Sequence, residues 1–210
     1  MTAAQAHKVE MRDKVGKGVA RALRREGKIP GIIYGGKEAP VMITADKSIW
    51  FKEALEPRFF SKVFNLDVSG KQYEVIAKDY QFDPVTDDLT HLDFLRVEKG
   101  REVSVLVPVQ FINREKSPGI KLGGILNVIL RKLEIKCSMA DIPEFIEIDL
   151  AGLPTGHSIR SEALALPKGC TLARPDRDIT VATIVSTRGS TLAEREGATG
   201  EEDDGASASE

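Results

Sequence analysis

From Glu102 to Ile112 the chain reads EVSVLVPVQFI, and Val103, Val105, Val107, Val109 and Phe111 take every second position. Successive side chains of an extended chain point to opposite faces, so this alternation gathers all five on one side. A helix would scatter the same residues around its circumference. The stretch therefore commits to a strand with one buried face, and Pro108, which has no N–H to give a ladder, points to an edge or a bulge. The pattern recurs. Leu133, Ile135 and Cys137 alternate with Lys132, Glu134 and Lys136, as do Ile146, Ile148 and Leu150 with Glu147 and Asp149, and Val181, Thr183 and Val185 with Thr180, Ala182 and Ile184.

The preceding part mixes periods. Gly18 to Glu26 has Val19, Ala22 and Leu23 at helical spacing, with Gly27 as a stop signal. Arg21, Arg24, Arg25 and Lys28 repeat the same spacing on the opposite side. Ile29-Pro30-Gly31 reads as a turn, Ile32 to Tyr34 as a strand ending at Gly35-Gly36, and Val41 and Ile43 as its hairpin partner. Asp46 to Leu55 reads as a second helix carrying Trp50. From Phe60 to Val97 strands dominate, broken by Ser69-Gly70-Lys71 and by the polar turn DPVTDD.

The fold class that follows is mainly β with a few helices. A small N-terminal β-barrel with helices is expected over residues 1–98, and a β-rich C-terminal domain over 99–187, divided where charge and glycine interrupt the strands at Glu98-Lys99-Gly100-Arg101. Residues 188–210 are expected to form a disordered acidic tail, since Gly, Ala, Ser and acids there cannot bury enough surface to offset ordering entropy.

A net charge of −2 over 210 residues disguises an uneven distribution. Between Met1 and Lys37 nine cations face three acids, while the residues after Arg195 include six acids and no cation. The arginine stripe is either a solvated face or a surface for a polyanion. Guanidinium forks suit paired phosphate oxygens, and Lys14 and Lys17 stand beside Gly16 and Gly18, where backbone can approach a ligand closely.

His91 and Asp93, two apart on an expected strand, share a face, with Leu92 and Phe94 turned to the core. The pair suits polar contact with an RNA groove. An alternative is a non-haem metal oxygenase site formed with His157. No nucleophile elbow, phosphate loop or dinucleotide fingerprint is present, so neither catalysis nor a cofactor is expected. Cys137 and Cys170 lack metal-site spacing and read as buried thiols. No apolar run reaches membrane-spanning length, and a cytoplasmic protein is expected.

The segments GKGVARALRREGKIPGIIYGGKEAP, HLDFLRV and ADIPEFIEIDLAGLPTGHSI, in that order, closely resemble the bacterial large-subunit ribosomal protein twenty-five family in its long, general-stress-protein (CTC) form. The similarity runs from about Val9 to about Val185. It implies a first module that is a barrel binding 5S ribosomal RNA within the large subunit, and a second module peculiar to long members. Family contacts carried over by motif fall on Lys17, Arg21, Arg24, Arg25, Tyr34, His91 and Asp93; Lys14 and Lys28 join them as neighbouring cations. Two departures stand out. Val19-Ala20-Arg21 lacks the serine that family members carry before the arginine-rich core, and Phe82 replaces a common cation in Gln81-Phe82-Asp83-Pro84.

Overall fold

Six short strands with turn residues between them close into a barrel in the computed structural model, which describes residues 6–36, 38–98, 100–161, 164–167, 169–174 and 179–186. They are β1 (Ala6–Met11), β2 (Lys28–Tyr34), β3 (Val41–Asp46), β4 (Val63–Val68), β5 (Lys71–Phe82) and β6 (Leu89–Arg96), in the order β1-β3-β2-β6-β5-β4. Helix α1 (Lys17–Arg25) joins β1 to β2, and α2 (Lys47–Leu55) joins β3 to β4. The expected strand alternation is present: Val63–Val68 buries Phe64, Leu66 and Val68, and β6 buries Leu92 and Phe94. Asp46 caps α2 by accepting the Ser48 N–H at 2.8 Å, which satisfies one of the donors a helix start leaves unpaired. The cap sets Trp50 against Phe94, with ring centroids 4.9 Å apart.

One expectation fails within the barrel, and one strand goes beyond those expected. Pro30-Gly31 is not a turn but part of β2, whose ladder with β3 runs from Lys28 to Ile33. Proline is tolerated there because the parallel ladder with β6 begins one residue later, at Gly31↔Leu92. Gly31 is small for a different reason, since a Cβ at this position would lie 2.9 Å from the Leu92 carbonyl oxygen. Strand β1, absent from the sequence reading, closes the barrel by pairing antiparallel with β3 and parallel with β4.

By packing, the chain divides into one unit of Met1–Pro108, Lys132–Ile146 and Leu166–Arg174, and another of Val109–Arg131, Glu147–Ala165 and Pro175–Glu210. The division is interleaved along the sequence, unlike the single boundary expected after residue 98. Long strand β7 (Glu102–Ile112) supplies residues to both units. Its neighbours β9 (Lys132–Ser138) and β10 (Ile146–Asp149), with β12 (Cys170–Leu172) paired to β9, complete a sheet of order β10-β7-β9-β12. β7 is thus internal rather than an edge. Pro108 costs the β9 ladder nothing: Val109 donates its N–H to the Arg131 carbonyl, so the N–H positions of even-numbered residues in β7 point away from β9.

In the second unit α3 (Pro118–Lys121) precedes a three-stranded sheet, β11-β13-β8, made from β8 (Ile125–Val128), β11 (Ser158–Arg160) and β13 (Thr180–Val185). Ile148, Leu150, Ile159, Val181 and Ala182 form its buried cluster. Strand β13 reverses the expected phase at its end, where Ile184 is buried and Val185 is half exposed. The acidic tail expected over 188–210 lies outside the described residues.

Candidate nucleic-acid interface

Helix α1 starts at Gly16, whose φ of 138° suits glycine and which brings no capping side chain. Val19 and Ala20, where the family's serine is missing, lie inside the helix, beyond its cap position. Val19, Ala20 and Leu23 are half-buried and seat the helix, while Ala22, expected on that face, is exposed. No residue of α1 is fully buried. Lys14, Lys17, Arg21 and Arg25 are exposed and form no ion pair with any described residue.

The other two cations are engaged. Helix α1 ends at Arg25, so Lys28 opens β2 instead of extending the helical stripe, and its Nζ lies 2.6 Å from Glu10 Oε2. Arg24 donates from Nε and Nη2 to the Thr90 carbonyl at 3.2 and 3.1 Å. That carbonyl lies just ahead of the β2–β6 ladder, opposite the proline that has no N–H to give. The guanidinium fork takes this place and fastens α1 to β6 immediately before His91.

On the outward face of β6, His91 Nδ1 and Asp93 Oδ1 are 2.7 Å apart and both side chains are partly exposed. Strand pairing places Gln81 opposite His91, and Asp79 and Ile32 on either side of Asp93. Tyr34, at the end of β2, is half-buried, and its phenol is held above the ordinary value of 10.0 first by burial and then by the charges of Asp93 and Asp79. It keeps its proton and remains a donor. The result is a strip holding donors and acceptors side by side, with free cations on the helix fastened beside it.

Asp79 and Gln81 are members of this strip that sequence reasoning did not single out. The signal was present in the alternation Asp79, Gln81 against Tyr80, Phe82, but a bulge between Ala77 and Asp79 shifts the register and hides it. Arg96 was also overlooked; it donates from Nη1 to the Gly35 and Glu38 carbonyls at 3.0 Å and from Nη2 to that of Ala39 at 2.7 Å, holding the loop after Tyr34. Phe82 turns inward and packs on Tyr80 and Phe51, at centroid distances of 4.9 and 6.2 Å. The alternative metal set does not assemble. His157 belongs to the second unit, and among the described residues no group of three or more His, Cys, Asp or Glu is arranged to hold a metal ion.

Residues 8–94 match the Ribosomal L25p family, and residues 102–188 match the C-terminal domain of ribosomal protein TL5. The large ribosomal subunit protein bL25 of Mesorhizobium japonicum is 49% identical over 178 residues, covering 84% of this chain and 83% of the relative. The chain belongs to the bL25 family in its long form. Similarity to bL25 proteins continues through both matched regions: that of Brucella abortus is 46% identical over 199 residues, 94% of this chain and 96% of the relative. The bL25 of Chelativorans sp. is 47% identical over 180 residues, 86% of each chain. The two family matches leave residues 95–101 between them.

Proposed function

We propose that the chain is a structural, non-enzymatic component of the bacterial large ribosomal subunit, working in the cytoplasm on the ribosome, and that its barrel unit binds 5S ribosomal RNA. Lys14, Lys17, Arg21 and Arg25 meet phosphates. Tyr34, His91, Asp93 and Asp79 meet 2'-hydroxyls and base edges across the minor groove, the accessible groove of an RNA helix. Arg24 holds the two sets in register, and Lys28, paired with Glu10, adds positive potential at the rim. Neither cofactor nor small-molecule substrate enters this reading.

The observation that carries the proposal is the Arg24–Thr90 contact, which brings a cationic helix with no acidic residue in its first turn beside the polar strip of β6. Phosphate contact and edge reading are then available from one face. A salt titration of 5S RNA binding by the full chain tests it, because residues 132–146 and 166–174 belong to the barrel unit. Lys17→Ala, Arg21→Ala and Arg25→Ala should each weaken binding and flatten the dependence of log K on log salt by about one unit. Unchanged affinity and slope in all three would leave the stripe as a solvated face and defeat the proposal.

A further inference from the structure

Cys137 on β9 and Cys170 on β12 are register partners on adjacent antiparallel strands, 1% and 9% exposed. The phase of the ladder decides how close they come. Ala173 donates its N–H to the Glu134 carbonyl at 3.1 Å, which marks Ala173/Glu134 as a hydrogen-bonded pair in the same register. The two kinds of pair alternate along an antiparallel ladder. Leu172/Ile135 is then non-hydrogen-bonded, Thr171/Lys136 hydrogen-bonded, and Cys170/Cys137 non-hydrogen-bonded. The Cys170 N–H agrees with this phase, donating to the Pro167 carbonyl at 3.2 Å and not across the ladder.

Facing residues of a non-hydrogen-bonded pair have Cα atoms about 4.5 Å apart and their side chains at closest approach. A disulfide spans Cα separations of about 4.4–6.8 Å. Cys170 Sγ donates to the Asp141 carbonyl at 3.4 Å. Neither sulfur belongs to the RNA-facing strip.

We propose that Cys137 and Cys170 form a reversible cross-strand disulfide by exchange with a low-molecular-weight disulfide. Cys170, the more exposed of the two and the first residue of a three-residue edge strand, gives up its proton, and its sulfur attacks one sulfur of the small disulfide, releasing one small thiol. Cys137 then gives up its proton and attacks the Cys170 sulfur of the mixed disulfide, releasing the second thiol. Two protein thiols lose two electrons and two protons, and the small disulfide gains both. Burial pushes the Cys137 thiol up to about 12, so the second step depends on the proximity that the ladder provides. The bond ties edge strand β12 to β9.

The test incubates the folded full chain with oxidised glutathione, then denatures, alkylates and maps it by mass spectrometry. The expected product has lost two hydrogens, takes up no alkylating reagent, yields a linked peptide containing Cys137 and Cys170, and reverts with dithiothreitol. In Cys137→Ser the reaction should stop at glutathione on Cys170. Alkylation of both cysteines after prolonged oxidation would overturn the proposal, as would glutathione persisting on Cys170 of the unsubstituted chain or a disulfide joining two chains.

Discussion

Replacing Arg24 by Ala separates a residue that touches phosphate from one that positions others. The substitution removes two N–H donors from the Thr90 carbonyl, and no backbone N–H is available nearby because residue 30 is proline. A hydrogen bond from a charged donor contributes about 1.5–3 kcal/mol when sheltered. Both N–H groups here share one exposed acceptor, so the loss is nearer 1–2 kcal/mol. Helix α1 has only half-buried residues to hold it otherwise, so most of that loss reaches the bound state as a displaced helix. RNA affinity should fall about 5- to 30-fold, at 1.4 kcal/mol per factor of ten.

The salt dependence should not change, because no phosphate contact has been removed. Fluorescence anisotropy of labelled 5S RNA over a potassium chloride series measures both quantities. Arg24→Lys sharpens the comparison, since lysine keeps the charge but lacks the planar fork. It should fail to restore affinity if Arg24 acts through Thr90. A slope flatter by about one unit in Arg24→Ala, recovered in Arg24→Lys, would refute the argument and place Arg24 on a phosphate.

Three further outcomes follow from the same geometry. Asp93→Asn leaves the cations untouched but weakens the acceptor beside His91, so 5S RNA affinity should fall by a factor of about 5–100 with an unchanged salt slope, read in the same titration. Phe94→Ala deletes a fully buried ring packed on Trp50 and Phe64 and should lower stability by about 3–5 kcal/mol in urea unfolding. His7 sits against Trp50 and Phe64, at centroid distances of 5.0 and 5.8 Å, and is held below its ordinary 6.5 by burial, opposed by Glu53 and assisted by Lys62. The unfolded chain then binds the proton more readily, so stability is full above about pH 6.5 and falls as the pH drops through that value. His7→Gln should reduce that fall in urea midpoints measured from pH 7.5 to about pH 5.5.

Strands with a single buried face were legible because one residue type sorts to each side: the alternations of β7 and β9, and the shared face of His91 and Asp93, follow from period two alone. Where apolar residues occupy both faces the phase is lost. In β13 Val181, Ala182 and Ile184 are all buried, and no alternation distinguishes the inward set. Strand β1 left little trace, since Val9 is its only buried residue and its neighbours β3 and β4 are distant in sequence. The basic stripe was read correctly as cationic but too uniformly. Spacing could not show that Arg24 meets a carbonyl left without a backbone donor by a proline, or that the helix ends before Lys28. Asp79 was hidden because a bulge resets the count along β5.

The order of strands in the barrel also sets when recognition becomes available to a newly made chain. Helix α1 leaves the translating ribosome early, but β6, which carries His91, Asp93 and the carbonyl that Arg24 grips, is the last of the six barrel strands to be synthesised. Until then the nine-residue helix has neither its anchor nor the length, about 12–15 residues, at which an isolated helix becomes even marginally stable. The nascent polypeptide thus carries its positive charge without a shaped surface to present it. Closure of the barrel supplies helix, strip and anchor in one event, so a partly made chain has no half-formed version of the site with which to capture RNA.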